Sequence, residues 1–277
     1  MHSFVLSSNQ RVAAHRRGEL IELDLPSPAE LVPEHAFAWG RAEEIGTPAY
    51  WAAQAWMWEM EEPEHFRLGR SLREEVLACL LGGYGIPAEV GLAAYARLKA
   101  LPPEVLHDAS AVEELLSQPL SVGGRSVRYR FARQKAGQVA GAMLGLGEID
   151  MNAPDRALRD ELMSLPGIGP KTASWIVRNW RSSDSVSILD VHIVRACRGL
   201  GVFQPAWRVE RHYRMMEEAY LVFARAVGAR ASILDSVIWM TMRRLPASIV
   251  AGMQRRRSLE KVRHQDQREF AGLFDPA

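Results

Sequence analysis

Cysteine is scarce in this chain: its 277 residues hold two, Cys79 and Cys197. They lack the close spacing of a metal knuckle or a redox pair, and both lie in apolar stretches of helical pattern. Both are expected to be core thiols of a reducing compartment, joined in no disulfide. Long apolar runs are missing too, so no segment approaches the roughly 20 residues of a membrane-spanning helix. The opening "MHSFVLSSNQRVAAHRR" lacks the apolar core of a signal peptide. An excess of one charge sign is also missing overall, with 34 Lys+Arg against 33 Asp+Glu. These absences argue against a helical membrane protein and a disulfide scaffold. The chain is expected to be cytoplasmic.

What is present is a charge pattern. Residues 121–214 hold 15 Lys+Arg against 8 Asp+Glu, a surplus of +7, while the remainder holds 19 against 25, or −6. The stretch "SVGGRSVRYRFARQKAGQVAGAMLGLG", residues 121–147, carries five bases and no acid. A basic middle in an acidic frame suits a polyanion bound along one face. A solvated helix face with scattered arginines is the plainer alternative.

Helical periodicity dominates from Pro48 onward. "SLREEVLACLL" repeats apolar residues at helical spacing, and "PAEVGLAAYARLKAL" and "PPEVLHDASAVEELLS" each open on proline, which suits a first helical turn. A long basic helix is expected from about Arg125 to Leu144. Before Pro48, "SFVLSSNQ" and "GELIELDL" read as two short strands. The cluster Trp51, Trp56 and Trp58, and also Trp239, fit core packing better than base stacking. The expected class is mainly α, in two helical lobes, with a small N-terminal β element. Residues 47–120 with 211–277 are assigned to one lobe, 121–210 to the other, and 1–46 to a separate segment.

One segment resists a packing account. "LMSLPGIGPKTASWIV", residues 162–177, ends one helical pattern on Leu-Pro-Gly and restarts with Lys171 in the first turn of the next. The positive end of a helix disfavours a second positive charge. A lysine there is explained by an anion to hold or by service as an amine nucleophile. Gly167 and Gly169 flank Ile168, allowing a turn with positive φ and exposed amides, which suits a phosphate. Downstream, "ILDVHIVRACRGLG" places Asp190 at another helix start, where an N-cap is the ordinary use of aspartate. An amine and a carboxylate at the two ends of one short helix also supply a nucleophile and a partner for a developing cation.

"LPGIGPKTAS" followed by "ILDVHIVRACRGLG" resembles the signature of the helix-hairpin-helix DNA glycosylases, the superfamily of endonuclease III and the 8-oxoguanine glycosylases. The shared pattern is Leu-Pro-Gly-x-Gly-x-Lys-x-Ala, then Val-Asp-x-His-x-x-Arg. The resemblance implies that Lys171 is the imine-forming nucleophile of a glycosylase and abasic-site lyase. Asp190 would assist base release, and His192 would be structural. Gly167, Ile168 and Gly169, helped by Arg128 and Arg130, would hold the DNA backbone, with a monovalent cation at Gly167 and Gly169. Endonuclease III-type members carry four cysteines for an iron–sulfur cluster near the C-terminus. No cysteine follows Cys197 here, so no such cluster and no other cofactor is expected.

The basic "RSVRYRFARQKA" looks like the 8-oxoguanine branch. Tyr84 and Ile86, in "LLGGYGIPAEVG", are candidates to fill the gap left by a flipped base. The C-terminal helix near Ser232–Trp239 is the candidate base pocket, and the lesion is expected in the cleft between the lobes. The expected function is excision of 8-oxoguanine from double-stranded DNA by a monomer at the nucleoid, away from membranes. The alternatives are a same-fold glycosylase for an oxidised pyrimidine or a modified phage base, and a catalytically silent DNA-binding module.

Overall fold

Alternation of outward and inward side chains in "QRVAAHR" and "ELIELDL" builds the first element, an antiparallel hairpin of β1 (Gln10–Arg16) and β2 (Glu19–Leu25). The computed structural model describes residues 9–61, 66–83 and 85–253. Arg17 and Gly18 both take positive φ (50° and 88°), which matches the twist of a two-residue hairpin. Of the expected strand "SFVLSSNQ", residues 3–8 lie outside the described residues. Gln10 fastens the hairpin to the neighbouring loops. Its amide nitrogen donates to the carbonyls of Pro26 (2.9 Å) and Gly40 (2.8 Å), and its oxygen accepts from Ala42 N–H (2.8 Å).

From Pro48 onward the described residues are mainly helical, apart from one further hairpin. In order come α1 (Pro48–Met60), α2 (Leu72–Leu81), α3 (Ala88–Leu98), the single turn α4 (Pro103–Leu106) and α5 (Ala109–Ser117). Strands β3 (Leu120–Val122) and β4 (Arg125–Val127) come next, then α6 (Ala132–Gly145), α7 (Asp155–Leu162), α8 (Pro170–Arg181), α9 (Val191–Leu200), α10 (Val209–Ala226) and α11 (Ala231–Met242). Local signals set the starts: Thr47, Ser71 and Asp108 cap α1, α2 and α5 through their side-chain oxygens. Among the described residues no helix is long and apolar enough to cross a membrane.

The chain divides into two compact units: the described residues of Met1–Pro63 with Leu189–Ala277, and those of Glu64–Ile188. In the first, α1 and α9 pack on α11 around the fully buried Trp51, Phe203, Tyr220 and Phe223. In the second, one apolar cluster runs from Leu72 to Val186 and takes in α2, α3, α5, α6, α7 and α8. These boundaries fall elsewhere than 120 and 210. Residues 66–120 share their core with the hairpin helices, because α2 packs directly on α8.

The long helix expected from Arg125 is shorter. Gly123 and Gly124, at φ 54° and 75°, close the β3–β4 hairpin, and the helix begins only at Ala132. α6 carries Gly137, Gly141 and Gly145, each costing a helix about 1 kcal/mol relative to alanine.

A buried polar cluster joins α2 to α8. Glu75, with no exposed surface, accepts from Leu68 N–H (2.7 Å) and Gly69 N–H (2.9 Å) on one oxygen. Its other oxygen accepts from Asn179 Nδ2 (2.8 Å) and meets Cys79 Sγ at 3.8 Å. Arg178 donates to Asn179 Oδ1 (2.9 Å) and stacks over Phe66. Removing the carboxyl strands three donors, each costing about 1–3 kcal/mol when left unpaired in the interior. Glu75→Ala is therefore expected to lower unfolding free energy by about 3–5 kcal/mol in urea titration. A loss below about 1 kcal/mol would show that the cluster does not tie the two helices.

Candidate active site

The turn between α7 and α8 is held from below. Leu165 (5% exposed) and Ile168 (4%) enter the core of their unit, and Ile168 N–H closes the turn on Leu165 C=O at 3.2 Å. Ile168 is thus an anchor, with its side chain turned inward and its amide taken. Gly167 lies at φ +79°, as a glycine between two helices should. Gly169 does not share that conformation. At φ −95°, ψ −179° it is the extended N-cap of α8, supplies no side-chain cap, and has open space where a Cβ would stand. The free amides at the start of α8 are therefore available to an anion.

Lys171 is the second residue of α8, behind Pro170 at the first position. It is half-buried and makes no hydrogen bond or ion pair with the described residues. Its charge is felt at Cys79 on α2. Burial first, then Glu75, pushes that thiol well above its ordinary range, and Arg178 and Lys171 pull the other way. Trp175, one turn beyond Lys171 on the same helix face, is partly buried against the core. Its ring lies close to the Gly82 backbone, 3.0 Å from where a Cβ on that glycine would sit.

Arg128 and Arg130 are exposed on either side of the buried Tyr129, whose hydroxyl donates to Leu81 C=O at 2.7 Å. Anchoring the tyrosine leaves both arginines outward, and Arg130 also covers Phe131, 5.1 Å from its ring centre. The hairpin turn, Lys171, both arginines and Ile86 thus share one unit. Ile86 packs partly on the core, its amide bonded to Gly83 C=O at 3.1 Å. Tyr84 lies outside the described residues.

Asp190 belongs to the other unit, where it caps α9. One oxygen, Oδ1, accepts from both His192 N–H (2.8 Å) and Ile193 N–H (2.9 Å). The second oxygen takes no hydrogen bond from the described residues. On α11, Ser232, Asp235 and Ser236, in the stretch read as a base pocket, are all buried. Sequence reasoning passed over Trp175, although "PKTASW" sets an aromatic four residues past the lysine. It also passed over Gln138, whose carboxamide lies against Gly167 and whose oxygen is buried without a hydrogen-bond partner among the described residues.

The site thus combines a lysine with no ion-pair partner among the described residues, a glycine turn before it, and a capping aspartate downstream. Residues 65–229 match the family described as Ogg-HhH, 8-oxoguanine DNA glycosylase. The chain belongs to this family. As a member of it the protein is a DNA glycosylase, and DNA is its partner.

One solved structure shares the fold, and two more are similar to this chain. A trapped endonuclease III–DNA covalent intermediate is 20% identical, covering 68% of this chain and 82% of that one, with a TM-score of 0.50. The 8-oxoguanine DNA glycosylase Tm1821 of Thermotoga maritima is 25% identical over 61% of this chain and 78% of its own, with a TM-score of 0.47. The Methanocaldococcus jannaschii 8-oxoguanine glycosylase/lyase, solved with a 15mer DNA containing 8-oxoguanine, is 19% identical over 69% and 88%, with a TM-score of 0.46. No curated protein matches. The β1–β2 hairpin and α1 lie before the family match begins.

The two roles open to Asp190 separate by substitution. Asparagine caps a helix about as well as aspartate, and alanine does not. Asp190→Ala is expected to cost the glycosylase about 1 kcal/mol of stability, and Asp190→Asn no more than a few tenths, in thermal or urea unfolding. An equally large loss in the asparagine variant would mean that the carboxylate charge, and not the cap, holds α9.

Proposed function

We propose that this glycosylase removes 8-oxoguanine from duplex DNA, acts as a monomer, and then cleaves the strand through an imine on Lys171. The observation that carries the reading is the Lys171 amine, unpaired among the described residues, at the start of α8 and immediately behind the glycine turn. A lysine kept for helix stability would be placed at the other end of the helix. In the reaction the neutral amine attacks C1′ of a flipped nucleotide, a C1′–N bond to Lys171 forms, and the bond to the base breaks. The departing base takes up a proton. The adduct opens to an imine, a proton leaves C2′, and the C3′–O bond breaks to release the 3′ phosphate. Water then hydrolyses the imine and frees the lysine.

Asp190 is assigned to the glycosidic step. With Oδ1 engaged in the cap, Oδ2 is the oxygen left to stabilise positive charge on the sugar. Trp175, a turn from the amine, offers an aromatic surface to the base. Arg128, Arg130 and the first amides of α8 supply phosphate contacts that carry no sequence information. The buried oxygen of Gln138 beside Gly167, unpartnered among the described residues, is a hard oxygen of the type a monovalent cation takes, and such a cation would add positive charge next to a bound phosphate.

Borohydride trapping tests the reading. Labelled duplexes carrying 8-oxoguanine, thymine glycol, an abasic site or no lesion are mixed with protein and reductant. A covalent band is expected with 8-oxoguanine and the abasic site, and Lys171→Gln should abolish both while still binding duplex. A band with thymine glycol but not 8-oxoguanine would replace the substrate. No band with any duplex would remove the lyase. Arg128→Ala and Arg130→Ala should each weaken binding uniformly and flatten the plot of log affinity against log salt by about 0.9. An unchanged slope would take that arginine off the DNA.

A further inference from the structure

The hairpin turn rests on α6 in a stepped antiparallel contact. Gln138, Gly141 and Gly145, at helical spacing on one face of α6, meet Gly167, Pro166 and Leu165 in turn. A Cβ on Gly141 would come within 2.8 Å of Pro166 Cγ and 3.3 Å of its Cβ. One on Gly145 would come within 2.8 Å of Leu165 Cδ2, and one on Gly167 within 2.5 Å of the Gln138 carboxamide carbon. Leucine and glutamine ends can swing aside. The proline ring cannot, because it is fused to the backbone of the turn. Gly137, on the same helix, has nothing within 4 Å of the position its Cβ would take. Close approach therefore explains Gly141 and leaves Gly137 as a matched control.

Resting on the reading of Lys171 as the nucleophile, we propose that Gly141 is a positioning residue for it: the bare backbone of α6 seats Pro166, and the depth of that seat sets where the hairpin presents the amine. The linkage from seat to amine is short and stiff. Ile168 bonds back to Leu165 (3.2 Å), Ala173 N–H bonds to Gly169 C=O (2.9 Å), and Lys171 lies five residues past Pro166. Restoring van der Waals distance to an alanine methyl moves the ring by about 1 Å. A misplacement of that size can cost on the order of 100-fold in rate.

The test compares wild type with Gly137→Ala, Gly141→Ala, Pro166→Ala and the Gly141→Ala/Pro166→Ala double variant. Single-turnover imine trapping at saturating 8-oxoguanine duplex, duplex affinity and melting temperature are measured for each. Gly137→Ala should trap at the wild-type rate. Gly141→Ala should trap about 10–100-fold more slowly per folded molecule, and the double variant should recover most of that loss because the ring that clashes is gone. Wild-type trapping rates in Gly141→Ala, or a double variant as slow as Gly141→Ala, would overturn the inference. Should Gly141→Ala fail to fold, Pro166→Ala decides: emptying the seat should slow trapping at least threefold, and an unchanged rate overturns the inference. Absence of trapping in wild type would count against Lys171 instead. The affinity arm then judges the seat, with Gly141→Ala expected to bind duplex about tenfold more weakly than Gly137→Ala and equal affinity contradicting it.

Discussion

The chemistry proposed for this glycosylase depends on one anchored turn. Leu165 and Ile168 point down into the core, Gly167 lets the chain reverse between them, and Gly169 hands over to Pro170 in extended form. That sequence of conformations decides that Lys171 begins a helix, where a cation has no stabilising part to play. It also leaves the first α8 amides without a side-chain cap among the described residues, which suits the proposed phosphate contact. Apolar burial beneath the turn provides the rigidity, and the polar functions ride on top of it.

The rest of the unit serves that arrangement. Glu75 fastens the far end of α8 through Asn179, and the same carboxyl caps the strand of chain entering α2. α6 holds the near end by giving up side chains at Gly141 and Gly145. Helix propensity and close approach pull in opposite directions there, and close approach has won. Just before α6, which starts at Ala132, the buried Tyr129 leaves Arg128 and Arg130 exposed on either side of it.

Much of the candidate site's local structure was legible because its turn, helix starts and cap are written locally. Leu-Pro-Gly-Ile-Gly-Pro-Lys states a turn, a helix start and an amine within seven residues, and Asp190 announces a cap before its helix. The lobes were not legible. α2 to α5 carry the same amphipathic pattern as the helices of either unit, and the choice between cores is made by contacts such as Glu75 to Asn179, 104 positions apart. The β3–β4 hairpin escaped because strands of three residues barely establish an alternation, and its arginine was counted with the helix after it. Two alanines blurred the period of β1 in a similar way. Ile168 was read as a backbone contact since sequence does not say which residue of a turn points inward. Trp175 was passed over because an aromatic on a helical face is usually core, and half of it is.

The central claim is that the covalent bond to DNA forms at Lys171. The chain offers few competing amines, since only four of its 34 basic residues are lysines: Lys99, Lys135, Lys171 and Lys261. The most direct measurement is peptide mapping by mass spectrometry of the borohydride-reduced protein–DNA adduct after nuclease digestion. The account predicts a sugar-derived mass on Lys171, with tryptic cleavage after it blocked. The same mass on Lys99, Lys135, Lys261 or the N-terminal amine, with Lys171 unmodified, would contradict it.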